Sequence, residues 1–554
     1  MMFKLKVSKE ELKELALYII CGAVLAMPLI FSNLWLIGWV AYAPIIYNEM
    51  MRNESGEKPY KSAWKRGLAF FYGYGLTTFF WLWAIYPLDF AGFDPLSAIC
   101  VIIMGWLGMP LLQGTVSAFN LVVLQFMKRN GLKKCLYPLV AACSWICFEW
   151  IQTLTWAGIP WSKLAVGQTA VLYNIQSASL FGSYFISFVM SLVSGCLALA
   201  FVNLKDNKNL IKSVFSFIAA IIIFASNFTC GAIAMKEERE YKNTMTVAAI
   251  QGNIQSVEKW NSDPMDALET HKTLVLDAGN AGADLIVLSE TAIPYLITKD
   301  KFLLPYVEEM VAEAGADVLV GCLDLDDDNN LYNSIRYVTN ENGFEECVYN
   351  KRKPVPFGEF MPLSDLINTV FPMLGQLNLA SSDITPGNKT GVFETTHGKV
   401  GSLICFDSIY EKLAFETVRD DAELLVISTN DCWFRDSAAV YQHNSHAVLR
   451  AIENGRYAVR AANTGISSII TDRGEIVQSL DPLTEGYIIG EVKMIDNETL
   501  YTKIGNMIVL AAFIFDAVIG IAQCVVGSGN VKQVGDLGIK VALKKKKKIL
   551  KDVK

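Results

Sequence analysis

The stretch Gly401-Ser-Leu-Ile-Cys405-Phe-Asp407 sets a thiol at the end of an apolar run, directly before a helical segment. Around it, short β-rich runs at 245–250, 284–288, 317–321, 333–338, 399–404 and 423–428 alternate with amphipathic stretches at 264–279, 303–314, 409–419 and 440–455. Strands alternating with helices argue an α/β fold for residues 243–492. A single cysteine after a strand is ordinarily a core residue. Cys405 stands out for its company. The run Leu285-Ile-Val-Leu-Ser-Glu290 delivers a carboxylate just past another strand. The run Tyr349-Asn-Lys351-Arg-Lys-Pro-Val-Pro-Phe-Gly-Glu359 carries a lysine into a proline-stiffened turn.

Outside that region the chain changes character. Its 554 residues are 52% hydrophobic and only 19% charged, too apolar for a soluble enzyme. Crossing a bilayer takes about 20 apolar residues in helix, and candidate spans lie at 15–31, 34–47, 67–86, 97–126, 137–156, 179–203, 213–235 and 503–527. The second is short, and the fourth holds Pro110, which predicts a kink. Lysine and arginine gather at the N-terminus, at 48–66, 127–136 and 204–212, and in the tail, while loops 87–96 and 157–178 are nearly bare, with Lys163 the only base. This alternation predicts about eight crossings, both termini cytoplasmic and the 243–492 insert facing away from the cytoplasm. The division expected is 1–242 for spans one to seven, 243–492 for the catalytic domain, 493–527 for a linker and last span, and 528–554 for a basic tail. The lysines from Lys544 to Lys548 read as a retention and lipid-surface feature rather than a nucleic-acid site. Within the spans, Glu149 and Asp516 need partners in the bundle, and Glu149 lies near enough to the exit of its span to reach a headgroup or the neighbouring domain.

Most of the 12 cysteines sit inside apolar runs, and there is no CxxC. His443 and His446, three apart, are the only histidines spaced for one helix face, and no carboxylate stands next to them in sequence. No metal and no cofactor are expected.

The order Glu290…Lys351…Cys405 on an α/β chain resembles the nitrilase, or carbon–nitrogen hydrolase, superfamily. With apolar spans on both sides, the chain is similar above all to the apolipoprotein N-acyltransferase family. The resemblance rests on Gln251-Gly-Asn253 with Trp260, Ser289-Glu290, Asn350-Lys351 and Val355-Pro-Phe-Gly-Glu359-Phe-Met-Pro362. Further along it rests on Ile404-Cys405, Thr429-Asn-Asp431-Cys-Trp433-Phe, Gln442-His443, Arg450 and Arg460-Ala-Ala-Asn463-Thr-Gly465. It implies an α-β-β-α sandwich beside a polytopic helical membrane domain. It implies a triad of Glu290 as general base, Lys351, and Cys405 as nucleophile, with Glu359 a second acid and Trp260 a flanking aromatic. The family commonly reads Tyr-Glu after the cysteine, whereas this chain has Phe406-Asp407; Asp407 is expected to orient neighbouring donors.

The activity so implied moves a fatty acyl group from a phospholipid, through a Cys405 thioester, to the α-amine of a lipoprotein's diacylglyceryl cysteine. The enzyme is expected to be a monomer in the bacterial cytoplasmic membrane, without nucleic-acid partners. The alternative is a membrane-tethered amidase using water as acceptor. The stretch 370–379 and the loop holding Trp433 are apolar for surface loops and fit either lipid-facing arms or core packing.

Overall fold

The computed structural model of the chain describes residues 8–52, 58–88, 91–206, 209–255, 264–370 and 383–525. Trp260, the stretch 371–379 and the basic tail lie outside the described residues. Seven helical segments among those described are long and apolar enough to cross a membrane: Lys9–Ile30, Pro59–Ile85, Pro95–Arg129, Lys134–Ile151, Ser183–Lys205, Leu210–Ala234 and Met507–Val525.

The expected second span takes a different form, two short helices, and it still returns across the bundle. The helices α1 (Lys9–Ile30) and α4 (Pro59–Thr78) run parallel, and Lys65 Nζ pairs with Glu11 Oε1 at 2.7 Å near their starts. Glycines bring their backbones together: a Cβ on Gly22 would lie 1.9 Å from the Phe70 carbonyl oxygen, and one on Gly73 2.1 Å from that of Ile19. The chain leaving α1 at Phe31 must therefore come back before α4 begins. It does so through α2 (Ile37–Val40) and α3 (Ala43–Met51), and Arg52 then pairs with Glu14 in the first turns of α1. Among the described residues, the seven long segments and this return pass the bundle eight times. Glu49, at the end of this return, is buried and held by Arg66 through two bonds of 2.7 and 2.8 Å. In the fourth span the helix breaks at Ala118, between α5 (Pro95–Ser117) and α6 (Phe119–Arg129), rather than at Pro110, whose ring packs against Gly75. Glu149 finds its partners within the bundle: its Oε1 accepts from Leu164 N at 2.9 Å and Trp145 Nε1 at 3.3 Å.

The segment after the helix Leu210–Ala234 builds two six-stranded sheets. The first runs β12 (Gly486–Met494), β1 (Asn243–Gln251), β2 (Leu285–Val287), β3 (Asp317–Leu325), β4 (Leu331–Thr339), β5 (Gly343–Asn350). The second runs β11 (Ile476–Leu480), β10 (Ser467–Ile470), β9 (Ala458–Ala462), β8 (Leu424–Thr429), β7 (Gly398–Ile404), β6 (Gly391–Thr395). Side chains alternate along each strand. Val247, Val287 and Leu319 meet Val400, Val426 and Val459 between the sheets. Ala248, Ile286 and Val318 face the other way, onto the helices Pro264–Asn280 and Leu303–Ala314. Leu403, Leu425 and Ile427 turn outward onto the helices Glu411–Arg419 and Ala438–Asn454. The result is the expected α-β-β-α sandwich.

The second helical layer is also the docking face for the bundle. One apolar core runs without interruption from Trp39 and Trp145 through Trp161 to Leu413 and Ala447. Polar pins cross the same junction. Lys163 pairs with Glu411, Tyr184 donates to Glu411 Oε1 at 2.9 Å, and Trp161 Nε1 donates to Gln442 Oε1 at 2.5 Å. Gln442 in turn donates to the Leu29 carbonyl, so the sandwich sits at the face where α1 ends. Arg52, Lys65 and Lys128 gather at the opposite face.

Candidate active site

Strand direction explains how three distant residues meet. β2 and β3 are parallel, β4 reverses, and β5 reverses again, so Glu290 and Lys351 both leave the same edge of the first sheet. Cys405 leaves the second sheet at the end of β7 and faces them. Lys351 Nζ donates to Glu290 Oε1 at 2.7 Å and to Glu359 Oε2 at 2.8 Å. Asn333, near the start of β4, bridges the two acids, with Nδ2 at 2.8 Å from Glu290 Oε1 and 2.8 Å from Glu359 Oε1. Its own carbonyl accepts from Lys351 N at 2.8 Å. Val355 N also donates to Glu359, which closes the turn after the lysine around that carboxylate.

Cys405 opens a tight turn through Ile409 with a φ of 49°, a left-handed conformation unusual for a residue with a side chain. Thr291, directly after Glu290, has a φ of 44°. Strain of this kind gathers at sites whose surroundings fix the backbone. Burial and the nearby Glu290 carboxylate push the thiol well above its usual range, against a downward pull from Lys351. Burial would lower Lys351, but Glu290 and Glu359 reverse it and hold the ammonium well above the ordinary lysine value. The resting state is therefore a thiol beside a carboxylate and a fixed positive charge.

Asp407 does not touch the acid–lysine group. It is fully buried and ties together the segments that carry Cys405 and Lys351. It accepts from Tyr349 Oη at 2.7 Å, Lys353 N at 2.8 Å, Ile404 N at 3.2 Å and Arg352 N at 3.4 Å. Phe406 points into the apolar core and meets Tyr410 edge-on at 5.6 Å. Trp433 lies over the turn after Lys351: a Cβ on Gly358 would come within 2.9 Å of its ring. Its neighbour Phe434 packs on Trp81 of the bundle at 4.9 Å, so this loop belongs to the junction between sandwich and membrane helices.

A second polar cluster lies behind Cys405, and it gives His443 the carboxylate partner that its neighbours in sequence do not. That partner is Asp431, whose Oδ1 is 2.8 Å from His443 Nδ1 while Oδ2 accepts from Arg460 Nη2 at 2.5 Å. His446 instead meets the Trp161 carbonyl. Ligating atoms of Cys405, Asp431 and His443 lie within 4.8 Å of one another. The Arg460 guanidinium on Asp431 makes this a poor place for a cation, because both carboxylate oxygens are already engaged. Asn333 and the Asp431–His443–Arg460 group carried no assigned role in sequence; for Asn333 and Arg460 the available signal was a polar residue within a buried strand, and for Asp431 and His443 there was none beyond the motif they belong to.

Two family signatures divide the chain between them. The carbon–nitrogen hydrolase family matches residues 246–499, and the apolipoprotein N-acyltransferase N-terminal domain matches residues 21–196. Over nearly its whole length the chain is similar to the apolipoprotein N-acyltransferases. Relatives include the Haemophilus ducreyi apolipoprotein N-acyltransferase, 27% identical over 88% of this chain and 92% of that one. The Geobacter metallireducens protein of the same name is 28% identical over 90% of this chain and 93% of that one. Among solved structures, Saccharomyces cerevisiae Nit3 of the nitrilase superfamily aligns at 18% identity and a TM-score of 0.36, covering 46% of this chain and 93% of that one.

Proposed function

We propose that this protein is a membrane N-acyltransferase that moves an acyl chain from a phospholipid, through a thioester on Cys405, to the free α-amine of a diacylglyceryl lipoprotein. The observation that carries the reading is the buried Glu290–Lys351 pair, joined by the half-buried Glu359, facing a strained cysteine. Full-length kinship to acyltransferases favours it over the amidase alternative.

In the first half-reaction Glu290 takes the Cys405 proton as sulfur attacks the ester carbonyl. Lys351 stabilises the developing oxyanion. The carbon–oxygen bond breaks, and the lysophospholipid leaves with the proton returned by Glu290. In the second half the lipoprotein amine attacks the thioester, Glu290 accepts its proton, the sulfur–carbon bond breaks, and the proton goes back to sulfur. Glu359 and Asn333 keep Lys351 and Glu290 in register throughout. Both substrates are lipid-anchored, which gives a reason for docking the sandwich on a helical bundle.

The protein so read is a monomer of the bacterial inner membrane. Its sandwich faces the extracytoplasmic side and both termini face the cytoplasm, in keeping with basic residues gathered at the face opposite the sandwich. An impermeant maleimide should label Asp328→Cys, but not Lys61→Cys, in intact cells of a cysteine-free variant; the reverse pattern would overturn this orientation. For the activity, purified enzyme, phospholipid and a diacylated peptide should give triacylated peptide only when the peptide's amine is free. Steady release of fatty acid without any amine would favour the hydrolase.

A further inference from the structure

The sulfur of Cys405 has a polar neighbour on the side away from Glu290 and Lys351. Thr429, the last residue of β8, is fully buried and stands level with Cys405, because Ile404 at the end of β7 pairs with Ser428, and this sets its hydroxyl within reach of that sulfur. The same hydroxyl donates to Asp431 Oδ1 at 3.2 Å. Asp431 continues to His443, whose Nε2 lies 3.2 Å from the Cys405 carbonyl oxygen and 3.1 Å from Ser408 Oγ. Ser408 closes the figure by donating to the Cys405 carbonyl at 2.7 Å. A chain of polar contacts thus runs from Thr429, beside the Cys405 sulfur, back to the Cys405 carbonyl, with every member buried.

We propose that Thr429 is a catalytic residue whose hydroxyl turns from Asp431 to the Cys405 sulfur when that sulfur becomes anionic, and that Asp431, His443 and Arg460 are positioning residues that hold it ready. The proposal rests on Cys405 being the nucleophile.

A hydroxyl has one proton to donate. Beside a neutral thiol, the better acceptor is the Asp431 carboxylate, and the hydroxyl donates there. Once Glu290 removes the thiol proton, sulfur carries a full charge, and the hydroxyl satisfies it by rotation alone, with no heavy atom moving. Asp431 tolerates the loss because His443 and Arg460 still occupy its two oxygens. The group is preorganised in the sense that matters for catalysis: its donors are in place before charge develops. The β-branched threonine also suits a buried strand end, where χ1 is fixed by packing. When the thioester forms, the charge vanishes and the hydroxyl returns to Asp431; when the thiolate leaves in the second half-reaction, the same donation recurs.

Iodoacetamide alkylation of Cys405 in the purified full-length protein, followed on the Cys405 peptide by mass spectrometry, tests this directly. Thr429→Val keeps the shape and removes the hydroxyl. It should slow alkylation and acyl transfer together by roughly 10- to 100-fold, the range for one hydrogen bond to a charged group, while KM for the lipopeptide stays near native. Thr429→Ser should recover most of the rate. If Thr429→Val melts well below the native protein, Thr429→Ser against Thr429→Ala makes the same comparison with smaller side chains. Alkylation at the native rate without the hydroxyl would overturn the proposal. Transfer that survives in Cys405→Ala would instead overturn the nucleophile assignment on which it stands, so the two failures are distinguishable.

Discussion

Replacing Asp407 with alanine should damage folding and turnover together, because one buried carboxylate serves both. Four donors converge on it, from Tyr349, Arg352, Lys353 and Ile404, and Asp407, Tyr349 and Ile404 are buried. The two shortest bonds, 2.7 and 2.8 Å, are the strongest of the set. A hydrogen bond to a charged group is worth about 1.5–3 kcal/mol, so losing two costs about 3–6 kcal/mol before any relaxation. That is a large share of the roughly 5–15 kcal/mol that holds a domain together. At roughly 2–4 °C per kcal/mol for a domain of this size, the melting point of the sandwich should fall by roughly 6–24 °C. Tyr349→Phe removes one donor and leaves the carboxylate, and should produce the smaller part of that fall. Turnover of Asp407→Ala measured well below its own melting point should still drop at least about tenfold, because Ile404 adjoins Cys405 and Lys353 lies two residues after Lys351. Thermal unfolding in detergent, read beside lipopeptide acylation, gives both numbers. An Asp407→Ala protein that melts within about 2 °C of native and turns over normally would refute the claim that this residue pins the two segments.

Three further outcomes follow from the same geometry. Burial and Glu290 push the Cys405 thiol up, so its thiolate fraction grows as pH rises toward that raised value; iodoacetamide alkylation should climb without a plateau from about pH 6 to about pH 9, and a plateau near neutrality would indicate a preformed thiolate. Glu359→Gln removes one of the two negative partners of Lys351 and should lower turnover roughly 10- to 100-fold with little change in melting, read by initial rates on phospholipid and lipopeptide. Lys163→Met strands Glu411 at the buried junction and should cost about 3–5 kcal/mol; Lys163→Met with Glu411→Leu should regain most of it in the same unfolding assay.

The sequence made the strand-end chemistry legible because apolar runs mark buried strands and the residue after each run is where a sheet edge opens. That was enough for Glu290, Lys351 and Cys405 to be singled out and for an α/β fold to be expected; the four-layer sandwich came from the family resemblance. It was weaker where strands lie at the margins. β5 carries Glu345 and Glu346 and has one face open, and β11 is exposed along almost its whole length, so neither has the apolar run that reveals a central strand. The second crossing was too short as a single helix, and only the parallel packing of α1 and α4 shows that two short helices complete it. The role of Asp407 depends on Tyr349, 58 residues away, and that of Asp431 on Arg460, 29 away. Such separations leave no periodic trace. Spacing along the chain cannot reveal a partner that only the fold brings near.

The central claim is that Cys405 carries the acyl group between two lipid substrates. Intact-mass analysis of the purified protein after incubation with a phospholipid of defined acyl chains, without acceptor, tests it most directly. The account predicts a gain of one fatty acyl group, located on the Cys405 peptide, cleaved by neutral hydroxylamine, discharged by a lipopeptide with a free amine, and missing in Cys405→Ala. An adduct on another residue, or native transfer by Cys405→Ala, would contradict it.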